Sequence, residues 1–191
     1  MAKPLAKPAP VVMTIGHSNR PLEIFLQLLK AHDVKQIIDV RTIPRSRHNP
    51  QFNRDTLPGE LRAAKILYRH MPGLGGLRHP RRDSVNGAWK SLAFRGFADY
   101  MQTKEFTLSL SRLMKLAAAK QVALMCAEAV PWRCHRSLIA DALEVRGYAV
   151  EHIITRTFRR THQLTPFARV AGKIITYPPL SATLNENSEI S

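Results

Sequence analysis

Cysteine is scarce in this chain: there are two among 191 residues, Cys126 and Cys134, separated by only seven others. Two thiols cannot form the disulfide framework of a small secreted domain, so their role is local, and a reducing compartment keeps them free. Acidic residues are few as well. The 14 aspartates and glutamates face 29 lysines and arginines, a net charge of +15 at pH 7, which excludes the acidic, solvating type of chain. No stretch approaches the roughly eighteen uninterrupted apolar residues of a membrane helix, and the opening MAKPLAKPAPVVMTIGH lacks the apolar core of a signal peptide. These absences predict a cytoplasmic protein with no membrane partner. Walker and dinucleotide glycine motifs are missing too: GLGG at 73–76 neither follows a convincing strand nor opens a clear helix.

What is present suits one domain. A chain of this length, 45% hydrophobic, can bury a full core. Residues 1–10 read as a flexible lead, 11–177 as a single α/β domain and 178–191 as a tail. Trimming both ends removes two lysines and two glutamates, so the whole positive excess stays in the domain. It is densest from Arg41 to Arg82, with nine arginines and one lysine against Asp55 and Glu60. The arginine fork matches phosphate and carboxylate, which points to an anionic polymer or a phosphorylated ligand. The alternative is a solvated basic face with no specific ligand.

Hydrophobic spacing gives the order of elements. VVMTIG is a short buried strand, and a helix follows with Ser18 or Asn19 as N-cap, Pro21 in its first turn and Leu22, Phe25, Leu26 and Leu29 on one side. QIIDV is the second strand, a helix is expected around Leu57 to Ala64, and ILYRH is the third strand. Residues 71–96 are rich in Gly, Pro and Arg and read as a long loop, functional or disordered. A helical region from Phe97 to about Lys120 breaks near Thr103. The strand VALMCA, a helix from about Cys134 to Arg146 stopped by Gly147, and the strand AVEHII come next, with KIITY as a late edge strand. This alternation predicts a three-layer α/β domain, a mostly parallel sheet with helices on both faces.

In such a sheet ligands collect beyond the carboxyl ends of the strands. That rule gathers Gly16, His17 and Ser18 after strand one, Asp39 and Arg41 after strand two, His70 after strand three, and Cys126 and Glu128 after strand four. Asp39 and Arg41 alternate onto one face, which suits a salt bridge. His135 and Arg136 at a helix amino end put cation where the helix dipole disfavours it, so an anion belongs there: a bound phosphate or sulfate, or else Glu128 or Asp39 paired with Arg136. Cys126, after an apolar strand, reads as a small buried hydrophobe. Cys134, beside His135 and Arg136, reads as the more reactive thiol. A metal would need Cys126, Cys134 and His135 with His17 or His70, but C-x7-C is far from the usual C-x2-4-C spacing, and no metal is expected. Glu128 is a candidate general base, and His17 either titrates near neutrality or bonds a neighbouring carbonyl. Tyr68 and Trp132 either stack a base or pack on the core.

TIGHS, IIDVRTIPRSR, ILYRHMPGLGG and ALMCAEAVPWRCHRSLIADAL, continuing to GYAVEHI, together resemble the bacterial and archaeal family of domain of unknown function 488, over roughly Thr14 to Ile153. The resemblance implies a site without an established reaction, and a loose DNA-repair label on some members. A fainter likeness is to rhodanese-like and phosphatase-like domains, in which a strand ends on a thiolate and an Arg-Ser pair opens the next helix. Here the corresponding residues are Cys126, Arg136 and Ser137, with a longer loop containing Pro131 and Trp132. The expected site therefore has Glu128, Cys134 and His17 as catalytic candidates. Arg41, Arg136, His135, Ser137 and Ser18 are its anion ligands, and Asp39 and Cys126 support it. The expected ligand is a nucleotide or nucleic acid. A basic accessory domain that binds nucleic acid without catalysis, and rhodanese-like thiol chemistry, are the alternatives; the sequence specifies no cofactor.

Overall fold

Runs of β-branched and apolar residues with no polar alternation require a strand buried on both faces. The computed structural model, which describes residues 10–179, shows such strands at the centre of one sheet. The expected lead up to residue 9 and the tail from residue 180 lie outside the described residues. Strands β1 (Val11–Gly16), β2 (Gln36–Asp39), β3 (Leu67–His70), β4 (Val122–Cys126), β5 (Ala149–Ile153) and β6 (Arg159–Thr161) form a six-stranded sheet in the order β3-β2-β4-β1-β5-β6. All neighbours are parallel except β6, which runs antiparallel to β5.

Alternation along each strand divides the core in two. Val12, Ile38, Leu124 and Val150 face helices α3 (Leu92–Tyr100), α4 (Lys104–Ala119) and α5 (Arg136–Glu144). Met13, Ile15, Ile37 and Met125 face α1 (Leu22–Ala31) and α2 (Leu57–Ala63). The expected three-layer α/β fold is therefore present, and Gly147 takes φ +81 just beyond α5. Among the described residues, no helix is long and apolar enough to cross a membrane.

Several local expectations need correction. Pro21, not Ser18 or Asn19, precedes α1, and Ser18 adopts φ +51 in the turn before it. The segment 71–96 is not one loop, because α3 begins at Leu92; the remainder is pinned by Asp99, which accepts from Arg81 N, Ser84 Oγ and Asn86 Nδ2 at 2.6–2.8 Å. The break near Thr103 is real: its Oγ1 accepts from Phe106 N and caps α4. KIITY does not join the main sheet. Its residues form β8 (Ile174–Thr176), which pairs with β7 (Arg169–Ala171) in a separate hairpin.

That hairpin is tied to α5 by a buried carboxylate. Asp141 accepts from His162 Nε2, Thr165 N, Thr165 Oγ1 and Tyr177 Oη at 2.7–3.0 Å, and its side chain has no exposure. Asp141→Ala strands these donors and is expected to cost about 3–5 kcal/mol. The check is the urea midpoint; a midpoint equal to wild type would show that the hairpin docks without this residue. Next in the network, burial first, then His162, Arg136 and Arg160, push His152 down to about 3 from an ordinary 6.5. Below pH 6.5 the unfolded chain therefore takes up a proton that the folded chain refuses. Stability from this group is full above that pH and falls toward pH 3 by about 1.4 kcal/mol per pH unit. His152→Gln should flatten that part of a stability profile, whereas an unchanged slope would assign the acid sensitivity elsewhere.

Candidate functional site

Parallel neighbours β2, β4 and β1 finish level: Gly16 pairs with Cys126, and Asp39 with Met125. The chain leaves them along one rim, where His17 N and Ser18 N bond Cys126 O and Ala127 O at 3.0 and 2.9 Å. Above these ends lies a cavity of about 610 Å3. Cys126, Cys134, His135, His17 and Arg41 line its inner part, Ile43, Leu77 and Phe94 give it apolar walls, and the exposed Arg45 and Arg133 stand at its edge.

The loop between Cys126 and α5 decides what reaches the cavity. Glu128 Oε1 accepts from Val130 N at 3.0 Å, and a 3-10 turn over Pro131–Arg133 reverses the chain. Cys134 therefore stands outside the helix, and His135 is the N-cap of α5, which begins at Arg136. This corrects the expectation of Cys134 in the first helical turn. The reversal brings Cys134 back onto Cys126, so that the two sulfurs and a ring nitrogen of His135 lie within 4.8 Å of one another. Two glycines make room for this: a Cβ on Gly16 would sit 1.9 Å from Glu128 O, and one on Gly76 would sit 2.5 Å from His135 Nδ1.

Arg136 lies beneath the cavity with 0% exposure. Its Nη2 donates to Glu128 O, Nη1 to Thr14 Oγ1 at 3.4 Å, and Nε to Cys134 Sγ at 3.4 Å. A guanidinium stays charged, and a buried charge needs a counter-charge. Among these partners only the Cys134 sulfur can supply one, so Cys134 is the thiolate of the pair. The hydrogen bond donated by Cys126 lowers the Cys134 pKa well below the thiol range, and His135 and Arg136 add to this against desolvation. The same hydrogen bond, followed by burial, drives Cys126 upward, so it keeps its proton. Neither Glu128 nor Asp39 forms an ion pair with Arg136.

Arg41 is likewise spent inside. Its Nε and Nη2 hold the fully buried Asp39 at 2.9 and 2.6 Å, Nη2 also reaches Phe52 O, and Nη1 donates to His17 Nε2 at 3.2 Å. The salt bridge expected from alternation is present. His17 Nδ1 donates to Ser18 O at 2.8 Å, and burial lowers its pKa to about 4. Its ring is therefore neutral at pH 7, and of the two readings of His17 the bond to a neighbouring carbonyl is the one present. Ser137 Oγ donates back to Cys134 O, and Ser18 Oγ donates to Asn19; neither lines the cavity. Tyr68 donates to Asp39 at 2.8 Å and His70 to Arg41 O at 2.8 Å. Trp132 is 55% exposed, with the Arg160 guanidinium over its ring. Arg45, Arg133 and Phe94 were not singled out from the sequence; the arginine-rich run RTIPRSR was the available signal for Arg45.

Exposure and charge now favour different thiols, because Cys126 is half-buried and Cys134 is 4% exposed. Charge should win for a small reagent. Limited iodoacetamide treatment of the reduced, chelator-treated protein is expected to label Cys134 several-fold faster than Cys126 in a peptide map. Faster labelling of Cys126 would assign the thiolate to the wrong sulfur.

No curated protein matches the chain, and no solved structure does. The family model of the domain of unknown function DUF488 matches residues 21–143. That span runs from α1 nearly to the end of α5 and carries Asp39, Arg41, Cys126, Glu128, Cys134, His135 and Arg136, while His17 on the β1 side lies just before it. With more than half of its length matched, including the whole Cys126-to-Arg136 loop, the chain belongs to the DUF488 family.

Proposed function

We propose that the protein binds a phosphate-bearing ligand, a nucleotide or a nucleic-acid terminus, in the cavity above β1, β2 and β4, and acts on it through the Cys126, Cys134 and His135 cluster. One observation carries this: two exposed arginines, Arg45 and Arg133, flank an apolar-walled cavity with a thiolate in its inner part. The buried Arg41 and Arg136 are not direct ligand contacts in this reading, since they are engaged by Asp39, His17, Cys134, Thr14 and Glu128 O within the protein. Phe94 offers an aromatic face to a base, and Glu128 is the carboxylate at the cavity available for proton transfer.

A second observation supports the accessory reading. Strand β6 exposes Arg159 and Arg160, with Phe158 exposed before them and Arg160 lying 4.7 Å over Trp132. Cations interleaved with aromatic rings suit a single-stranded nucleic acid bound by phosphate contacts and stacking. Titrating a fluorescent nucleotide and a labelled oligonucleotide at two salt concentrations separates the two. In the cavity reading, the double variant Arg45→Ala/Arg133→Ala weakens nucleotide binding about tenfold or more, roughly 1.4 kcal/mol, while Arg159→Ala/Arg160→Ala does not. Oligonucleotide binding that falls steeply with salt and depends only on the β6 arginines favours the accessory reading. Nucleotide affinity unchanged by the double variant at Arg45 and Arg133 would sink the cavity reading.

A further inference from the structure

The contact between Cys134 and His135 has the geometry of a pair of ligands. His135 Nε2 donates to Val40 O at 3.1 Å, which leaves the other ring nitrogen, Nδ1, to face the sulfur. Nδ1 lies 3.6 Å from Cys134 Sγ, which also accepts from Arg136 Nε at 3.4 Å. Cys126 completes the set, with the two sulfurs and the ring nitrogen all within 4.8 Å of one another. Bonds of about 2.3 Å to sulfur and about 2.0 Å to nitrogen put neighbouring ligands of a tetrahedral Zn2+ about 3.5–3.8 Å apart. The Cys134 and His135 atoms already have that spacing.

We propose that Cys126, Cys134 and His135 bind one thiophilic divalent cation, Zn2+, and leave its fourth position open to the cavity. Two thiolates and one imidazole select such an ion over hard cations, which prefer oxygen. Groups behind the ligands hold them in place, as metal sites require. Val40 O orients the His135 ring, Arg136 Nε donates to Cys134 Sγ, and Gly76 leaves space against the ring. The C-x7-C spacing is no obstacle, because the site is not a zinc knuckle: one ligand ends a strand and the other two immediately precede a helix, joined by the turn at Pro131–Arg133. Zn2+ with two thiolates is neutral, and Arg136 beneath adds one positive charge. The fourth ligand is therefore an anion, a phosphate oxygen of the bound molecule; this last step rests on the function proposed above, and the ion site does not.

The test uses the full chain, metal-stripped and kept reduced with a phosphine. Native mass spectrometry after adding Zn2+ should show one equivalent bound. Co2+ in its place should give the intense near-ultraviolet band of sulfur-to-cobalt charge transfer and the visible bands of a tetrahedral ion. Cys126→Ser and His135→Gln should each lose about a hundredfold or more in Zn2+ affinity, exceeding the 10–100-fold of a supporting-group change. His48→Gln and His79→Gln, at exposed histidines, should bind as wild type. Cys126→Ser is the decisive variant, because it leaves every Arg136 contact in place, and circular dichroism verifies its fold. Absence of the charge-transfer band, or wild-type affinity in both Cys126→Ser and His135→Gln, overturns the proposal. A cobalt spectrum that forms but does not respond to inorganic phosphate or a nucleoside monophosphate leaves the ion site standing and removes the phosphate ligand. Nucleotide binding that depends on Arg45 and Arg133 without any cobalt band does the reverse.

Discussion

A guanidinium with no access to water, that of Arg136, sets the terms for the surrounding structure. Removing such a group from water costs several kcal/mol, which only close partners offset. Each partner belongs to a different part of the fold: Thr14 to β1, Glu128 O to the loop after β4, and Cys134 to the turn before α5. One side chain therefore ties the loop to the sheet. The cysteine pair is asymmetric first because Cys126 donates to Cys134, and the Arg136 guanidinium, which donates to Cys134 Sγ, adds to that difference.

The same cation begins a chain of polar contacts that crosses the core. Arg136 donates to Thr14, whose hydroxyl meets His152 Nδ1 at 2.8 Å; His152 Nε2 meets His162 Nδ1 at 3.1 Å, and His162 Nε2 reaches Asp141. One arrangement of protons satisfies every link, with each group donating to the next from Arg136 to Asp141. The C-terminal hairpin, held at Asp141 through Tyr177, is thereby coupled to the cavity on the other side of β1. A buried network of this type is stable only when it is complete.

The positive charges divide into two populations. Arg41 and Arg136 are inside, with their donors consumed by Asp39, His17, Thr14 and main-chain oxygens, and they act as structure. Arg45, Arg133, Arg159 and Arg160 lie outside, and only Arg160 among them lies over an aromatic ring. Charge count alone cannot separate these populations, because a buried arginine and an exposed one contribute equally to +15.

The sequence by itself determined the sheet and its layers, since both follow from local rules. Apolar runs become central strands, helical spacing yields α1, α2, α4 and α5, Thr103 caps a helix as Ser and Thr commonly do, and the strand-end rule located the rim at Gly16, Asp39 and Cys126. The start of α3 and the strands β6 and β7 carry no clear period in the sequence, and KIITY reveals a strand without revealing its partner. The chemistry of the site was legible only as an inventory. Seven residues between Cys126 and Cys134 are silent about distance until the turn at Pro131–Arg133 folds them together. Likewise, nothing local tells that Arg136 is enclosed while Arg133, three residues earlier, faces solvent. Those facts depend on which surfaces the sheet brings together, and desolvation, which keeps the His17 ring neutral and opposes charge on both cysteines, exists only once the chain has closed around them.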